Sequence, residues 1–390
     1  MPASDVTLYA QWSDGSNHNV IYEGNGSDGG EVPVDNNNYI EGQKVTVASA
    51  GTMTCTDCFF MGWNTEPDGS GIYYGAGVSF TMPREDVTLY AEWADVDAAF
   101  ITLWDTIITS TGSSDYNQIH LPLESSGAYD FKISWGDGTT DYITSWDAPE
   151  ATHTHAASGE YDLIISGTIK GFRFNKTGDR RKLLEISQWG GLNFGNNGSI
   201  FCGAWNLIIT ATDSPDLTGI TDFSSMFSDC WALTTVPNMN LWDVSSVTDM
   251  SSMFLRAYDF NQDIGDWDVS NVIDMSEVFY YARSFNQNIG DWDVSKVTDM
   301  SSMFRRAEVF NQDIGDWDVS NVTDMNHMFE HITLSTSNYS AILIGWAGLP
   351  SLQGDVNFHG GDSKYNESAV AARQKLISTY GWIITDGGLE

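Results

Sequence analysis

Apolar positions recur every 25 residues through the second half of the chain. Trp242, Trp267, Trp292 and Trp317 share one register. Met250, Met275, Met300 and Met325 share a second, and Phe254, Phe279, Phe304 and Phe329 a third. The polar positions repeat with them: FNQDIGDWDVS starts at Phe260 and Phe310, and FNQNIGDWDVS at Phe285. A fixed period of this length implies stacked units, none able to bury its apolar face alone. Upstream the pattern decays. Phe227 lies 27 residues before Phe254, and Pro215 stands where a Trp is expected. Residues 200–207 align with 226–233, and Ile186–Trp189 with Ile264–Trp267. The array is expected to begin near Arg181 and to hold about six rungs, with atypical units capping its ends.

Within one rung, Trp267 and Val269 alternate with Asp266 and Asp268, which predicts a half-buried strand. Ile264 breaks that parity, so a bulge is expected at Gly265. Val272, Met275 and Phe279 then recur at spacings of three and four, which predicts a short helical segment with Asp274 as its N-cap. Strands of stacked rungs would form a parallel sheet at about 4.8 Å spacing.

Stacking places identical side chains in columns. Asn261, Asn286 and Asn311 are expected to form an amide ladder for loop backbone rather than a ligand site. Asp249, Asp274, Asp299 and Asp324 suit capping. The Trp column reads as core; the competing reading is an exposed stripe for glycan stacking. Two outward columns remain as candidate ligand-binding positions: Asp266, Asp291 and Asp316, and Asp243, Asp268, Asp293 and Asp318. Like charges facing each other destabilise, so these carboxylates must be solvated, paired or bridged by a cation. Ca²⁺ is the weak metal candidate among the same Asp residues, although a dedicated site needs six to eight converging oxygens.

The motif FNQDIGDWDVSNVTDM resembles the 25-residue surface repeat of the BspA-like family, also called the mycoplasma lipoprotein repeat. That resemblance implies a leucine-rich-repeat-like, right-handed solenoid with a parallel sheet, and an adhesin's role. Gly345-Trp346-Ala347, Phe358-His359-Gly360-Gly361 and Tyr380-Gly381-Trp382 resemble the cap that closes such arrays in secreted bacterial proteins. From the residues themselves, 368–380 reads as an amphipathic helix stopped by Gly381, followed by a last strand over 382–385.

In the first half, VTLYAQW from Val6 recurs as VTLYAEW from Val87. The first copy implies the end of a truncated preceding repeat, with Met1 an added initiator. Between the copies, alternation predicts strands over 18–23, 44–48, 59–64 and 78–82. Phe60–Thr65 and Thr81-Met82-Pro83 resemble the Listeria–Bacteroides, or internalin B-type, repeat, which implies a β-grasp-like module. Further strands are expected over 101–107, 118–123, 129–135, 152–155 and 161–165. Trp135-Gly136-Asp137-Gly138, followed by Ser158-Gly159-Glu160-Tyr161, resembles polycystic-kidney-disease-type domains, which implies an immunoglobulin-like sandwich capping the first rungs. The fold class is therefore multidomain, β-rich α+β. Its expected boundaries are 1–12 for the truncated repeat, 13–95 for the grasp-like module and 96–180 for the sandwich. The solenoid follows over 181–330, and the C-terminal cap over 331–390.

Charge narrows the function. The 390 residues carry 53 acidic and 17 basic side chains, a net charge of −36. That disfavours nucleic acid and anionic membrane surfaces as partners. Six basic residues cluster at Lys170, Arg173, Lys176, Arg180, Arg181 and Lys182; a junction paired with carboxylates is expected there, with an anionic-ligand patch the alternative. Four Cys fit an oxidising compartment. Cys55 and Cys58 are candidates for a short-loop disulfide, for free thiols or for half a zinc site; Cys202 and Cys230, one rung apart, are candidates for a second bridge. His153 and His155 share a strand face, with Asp137 near them in the sandwich; ordinary polar residues are expected there, with a metal pair the alternative. No nucleophile elbow, P-loop, Rossmann pattern or HExxH is present, so no enzyme and no cofactor are expected. The reading is a monomeric extracellular or cell-surface segment, its secretion signal and anchor outside the sequence, that binds a protein or glycan on another cell or matrix. A ligand-free stalk and a carbohydrate-binding accessory module are the alternatives.

Overall fold

The computed structural model describes residues 15–390. The truncated repeat expected over 1–12 lies outside the described residues. The described residues form two compact units: 15–97 with the hairpin tip Lys132–Tyr142, and Ala98–Phe131 with Ile143–Glu390. The described residues are β-rich with few helices, and their sheets are open.

In the first unit, alternating residues build β1 (Val20–Glu23), β2 (Lys44–Thr46), β3 (Cys58–Asn64), β4 (Tyr73–Tyr74), β5 (Ser79–Thr81) and β6 (Val87–Asp95). The sheet order is β1-β6-β3-β4, with β1 parallel to β6 and β3 antiparallel to it; β2 and β5 pair separately. No α-helix lies among the described residues of this unit, so nothing is grasped in the sense the resemblance implied. Its core is Val20, Tyr22, Val45, Trp63, Phe80 and Leu89 with their neighbours. Trp63 is fully buried and donates its indole N–H to Ala48 O at 2.8 Å, so its one polar atom costs nothing. The strands expected here all form; β4 was not expected.

After the first unit's β6 come β7 (Phe100–Asp105), β8 (Gln118–His120), β9 (Leu123–Ser134), β10 (Thr140–Ile143), β11 (Thr152–Thr154) and β12 (Glu160–Phe172), the tip of the β9–β10 hairpin being the part assigned to the first unit. β13 (Leu183–Gln188), β14 (Leu192–Asn193) and β15 (Ile208–Ile209) follow. One sheet runs β10-β9-β12-β7-β13-β15, and β8 pairs with β11 apart from it. β13 is antiparallel to β7, while β15 is parallel to β13 with Glu185 opposite Ile208. The first degenerate rung thus joins the antiparallel sheet through β13, and the next adds to it as a parallel strand, β15.

The full rungs depart from the expected strand and helix. Neither forms. From Asp249 to Ala257 the backbone is a run of turns with left-handed residues at Ser252 and Arg256, φ +57° each. Glu277 and Tyr281, Ser302 and Arg306, and His327 and His331 repeat that conformation. Met250, Ser252, Phe254 and Arg256 donate N–H to Asp274, Ser276, Val278 and Tyr280 of the next rung at 3.0, 2.8, 2.9 and 2.8 Å. Met253, Leu255 and Ala257 instead close turns on Met250, Ser252 and Phe254 at 3.1, 3.1 and 3.0 Å. Backbone donors thus alternate between the neighbouring rung and the local turn. A helix would direct every N–H along its own axis and leave the rungs unjoined. The parallel sheet shrinks to single bridges linking Asp222, Asp249, Asp274, Asp299 and Asp324. The Trp267–Val269 segment, expected as the strand, carries buried side chains on irregular backbone.

Gly265 forms no bulge. A Cβ there would lie 2.6 Å from Asn288 O of the next rung, and Gly290 and Gly315 meet Asp313 O and Ala341 O at 2.8 and 2.7 Å. Close backbone approach, rather than strand parity, explains this glycine. Inside the stack Phe254, Phe279, Phe304 and Phe329 lie face to face at 5.8, 5.6 and 5.5 Å.

The array ends in α1 (Thr336–Gly348), β16 (Asn357–His359), α2 (Val370–Tyr380) and β17 (Ile383–Thr385). Ser335 caps α1 by accepting from Asn338 N. Gly381 stops α2 in the left-handed region, φ +74°, as its position after Tyr380 suggested. α1 was not expected from the sequence. β16 continues the ladder, since Phe329 N donates to His359 O at 3.0 Å and Met325 bridges Phe358.

Candidate functional site

The candidate site is the outer surface of the stacked rungs, built from columns. Asn261 Oδ1 accepts Asn286 N at 3.0 Å, Asn286 Oδ1 accepts Asn311 N at 2.9 Å, and Asn311 Oδ1 accepts Ser335 N at 2.8 Å. Gln287 and Gln312 donate to the Asn261 and Asn286 amides of the preceding rung. The amide column therefore serves backbone, as expected.

Asp249, Asp274, Asp299 and Asp324 each accept the backbone N–H two residues on, at 2.8 Å. These are Asx turns, not helix N-caps, because the following residues turn instead of coiling. The Trp column is core. Trp267, Trp292 and Trp317 are at most 4% exposed and donate to Met239 O, Ile264 O and Ile289 O of the previous rung at 2.8, 3.1 and 3.0 Å. Trp346 of α1 extends that column with a 3.2 Å bond to Ile314 O.

The outward carboxylates lie where the sequence placed them. Asp243, Asp266, Asp268, Asp291, Asp293 and Asp316 are exposed, and Asp318 is half-buried. Asp243, Asp268, Asp293 and Asp318 each turn one oxygen inward to the backbone N–H of Ser245, Ser270, Ser295 or Ser320, at 3.1, 3.1, 3.0 and 3.0 Å. The Ser245 hydroxyl, then its N–H, holds the Asp243 carboxyl below its ordinary value, and Ser295 does the same for Asp293, helped by the Lys296 charge. These columns bring no three ligand oxygens within 4.8 Å of one another. That geometry does not suit Ca²⁺.

Cys55 and Cys58 are disulfide-bonded, with Cα atoms 5.4 Å apart. Cys202 and Cys230 are buried and free, which overturns the second expected bridge. Cys202 aligns with Ser228, whereas Cys230 takes the inward place of Ala204, so the two occupy different columns. Cys230 Sγ instead faces Phe201 O at 3.2 Å, and burial pushes its thiol well up. The basic cluster is a paired junction: Lys176 meets Asp229 at 2.7 Å and Arg173 meets Glu124 at 3.5 Å. Lys182 is fully buried and donates to Ser114, Asp115 and Gln118 oxygens. His153 and His155 are ring neighbours at 4.6 Å, and His155 lies against Tyr161 at 3.6 Å.

Residues 221–342 match the family described as Mycoplasma protein of unknown function, DUF285. Residues 18–92 match the Listeria–Bacteroides repeat domain. Two relatives come from Evansella cellulosilytica. One, named as a Gly-rich membrane protein, is 31% identical over 183 residues, 41% of this chain and 20% of its own length. Another, named as a membrane protein, is 38% identical over 122 residues, 31% of this chain and 18% of its own. The chain thus spans about a fifth of the curated relatives it matches. No solved structure matches. No helix among the described residues is long and apolar enough to cross a membrane.

Proposed function

We propose that this chain is the outward, partner-binding part of a bacterial cell-surface protein and carries out no chemistry of its own. The observation that carries the reading is the stack itself. Rungs joined by interleaved backbone bonds repeat the same outward side chains at a constant pitch, which makes an extended surface for multivalent contact. In this reading the rungs form a right-handed, leucine-rich-repeat-like solenoid. The sandwich, of the polycystic-kidney-disease type, is its N-terminal cap, and the Listeria–Bacteroides module is a spacer. The names of the two relatives support placement at a membrane or surface. The partner is a protein or glycan on another cell or matrix, and the chain acts as a monomer. Saturable binding of the labelled chain to intact bacterial or host cells tests this; no binding to any cell, protein array or glycan array refutes it.

One observation favours the stalk as the second reading. Each Asp of the 243, 268, 293 and 318 column already closes a turn, so four of the seven outward carboxylates have a structural use. The accessory-module reading loses its support, because the Trp column is buried.

A further inference from the structure

No histidine lies between His155 and His327, and then three follow: His327, His331 and His359. They gather where the last rung meets the C-terminal cap. His359 ends β16, and its carbonyl accepts the N–H of Phe329 on the last rung at 3.0 Å. The chain then turns through Gly360 and Gly361. Gly361 holds φ +69°, and a Cβ there would run into Ile332 O and Phe329 O. The turn is therefore pressed onto the last rung, and beside it Asp362 N donates to Ile332 O at 3.0 Å. On its other side Gly360 N donates to Thr385 O of β17 at 2.8 Å.

The His359 side chain holds this turn. Its Nδ1 accepts the Gly361 N–H at 3.1 Å. An accepting Nδ1 carries no proton, so the neutral ring keeps its hydrogen on Nε2. Protonation puts a second donor on Nδ1, facing the Gly361 N–H, and the bond is lost. Nearby charges offset the new one only in part. The His327 ring lies 6.2 Å from the His359 ring. His327 and His331, 53% and 48% exposed, both lean on Glu330 at 3.1 and 3.7 Å, and Arg305 already pairs with that carboxylate at 2.6 Å. In acid Glu330 thus serves three cations. Asp362 is the other carboxylate facing the ring; on the β17 side, Asp386 is held by Arg373 at 2.8 Å.

We propose that His359 is an acid-sensitive latch: neutral, it seats β16 and the Gly360-Gly361 turn on the last rung, and protonated, it releases them. The device works whether or not the rungs hold a partner. Burial is the first cause that keeps the imidazole below its ordinary value; Glu330 and Asp362 oppose it, and His327 and His331 add to it. The stability that neutral His359 contributes is complete above the unfolded value near pH ~6.5 and is lost as pH falls through the lower folded value. The inner rungs carry no histidine and stay joined over that window.

Hydrogen exchange of the full chain at about pH 7.5 and about pH 5.5, corrected for the intrinsic rate at each, tests this; both lie above the ordinary carboxylate range. Protection over 329–334 and 357–363 should fall about three- to tenfold at the lower pH, the loss expected for one hydrogen bond. Protection over 260–310 should hold. His359→Asn keeps an acceptor in the place of Nδ1 and removes the titration, so its protection should not change with pH. His327→Gln with His331→Gln, both on exposed side chains, should lessen the loss without abolishing it. No loss in the unaltered chain, a loss spread evenly over all rungs, or a loss that persists in His359→Asn overturns the latch. If His359→Asn does not fold at the higher pH, the double substitution decides, and an undiminished loss there overturns the latch as well.

Discussion

Asn286 serves two partners at once. Its Oδ1 accepts Asn311 N and the Gln312 amide of the next rung. Asn286→Ala should return that exposed backbone N–H to water and cost about 0.5–1.5 kcal/mol, measured by denaturant unfolding; an unchanged midpoint would remove the ladder from the account of stability. Asp243 and Asp293 show the same economy with a charge. Their folded carboxyls sit below the ordinary value because Ser245 and Ser295 donate to them. The stability they contribute is thus complete above the unfolded carboxylate value near pH ~4 and is lost as pH falls through the lower folded values. Ser245→Ala with Ser295→Ala should flatten that acid limb, and an unchanged pH profile would show the turns contribute nothing through charge. The residue pattern made both columns legible, since identical spacing forces identical neighbours.

At the scale of the element, the rung is a lesson in periodicity. Val272, Met275 and Phe279 are all buried, as a helical face requires, yet the backbone carrying them turns every four residues through a left-handed residue. Spacings of three and four are shared by a helix and by consecutive turns, so side-chain pattern alone does not separate them. Inter-rung hydrogen bonds decide it, and they join residues 24 positions apart. The closing element shows the converse. α1 carries Trp346 into the Trp column, fully buried and bonded to Ile314 O. Trp346→Ala should cost about 3–5 kcal/mol and open the last rung. Hydrogen exchange should then rise first over 310–334; exchange confined to α1 would show that the cap does not hold the array.

For the whole molecule, a stack joined only to its neighbours predicts modularity. Deleting residues 285–309 brings Phe310 to the place of Phe285 and restores every column. The shortened chain should fold cooperatively with a somewhat lower melting temperature, whereas deleting half that length should abolish folding; calorimetry of both checks this. The acidic columns supply the second test at this scale. Specific binding to the native state must raise stability, and the carboxylates do not converge. Melts in millimolar Ca²⁺ and in EDTA should coincide, and a large upward shift with Ca²⁺ would revive a metal site among Asp266, Asp268 and their equivalents.

Spacing and residue type alone settled the period, the buried Trp, Met and Phe, the amide ladder, the outward Asp columns and the strands of the first half. These follow from which side chains recur and how polar they are, and stacking preserves that information. Tertiary structure alone decided four things: that the rung is a chain of turns, that Cys202 and Cys230 stay apart, that α1 closes the array, and that His359 of the cap faces His327 of the last rung. Each depends on which backbone groups and side chains of different rungs meet, and a linear spacing does not carry the left-handed turns that aim them.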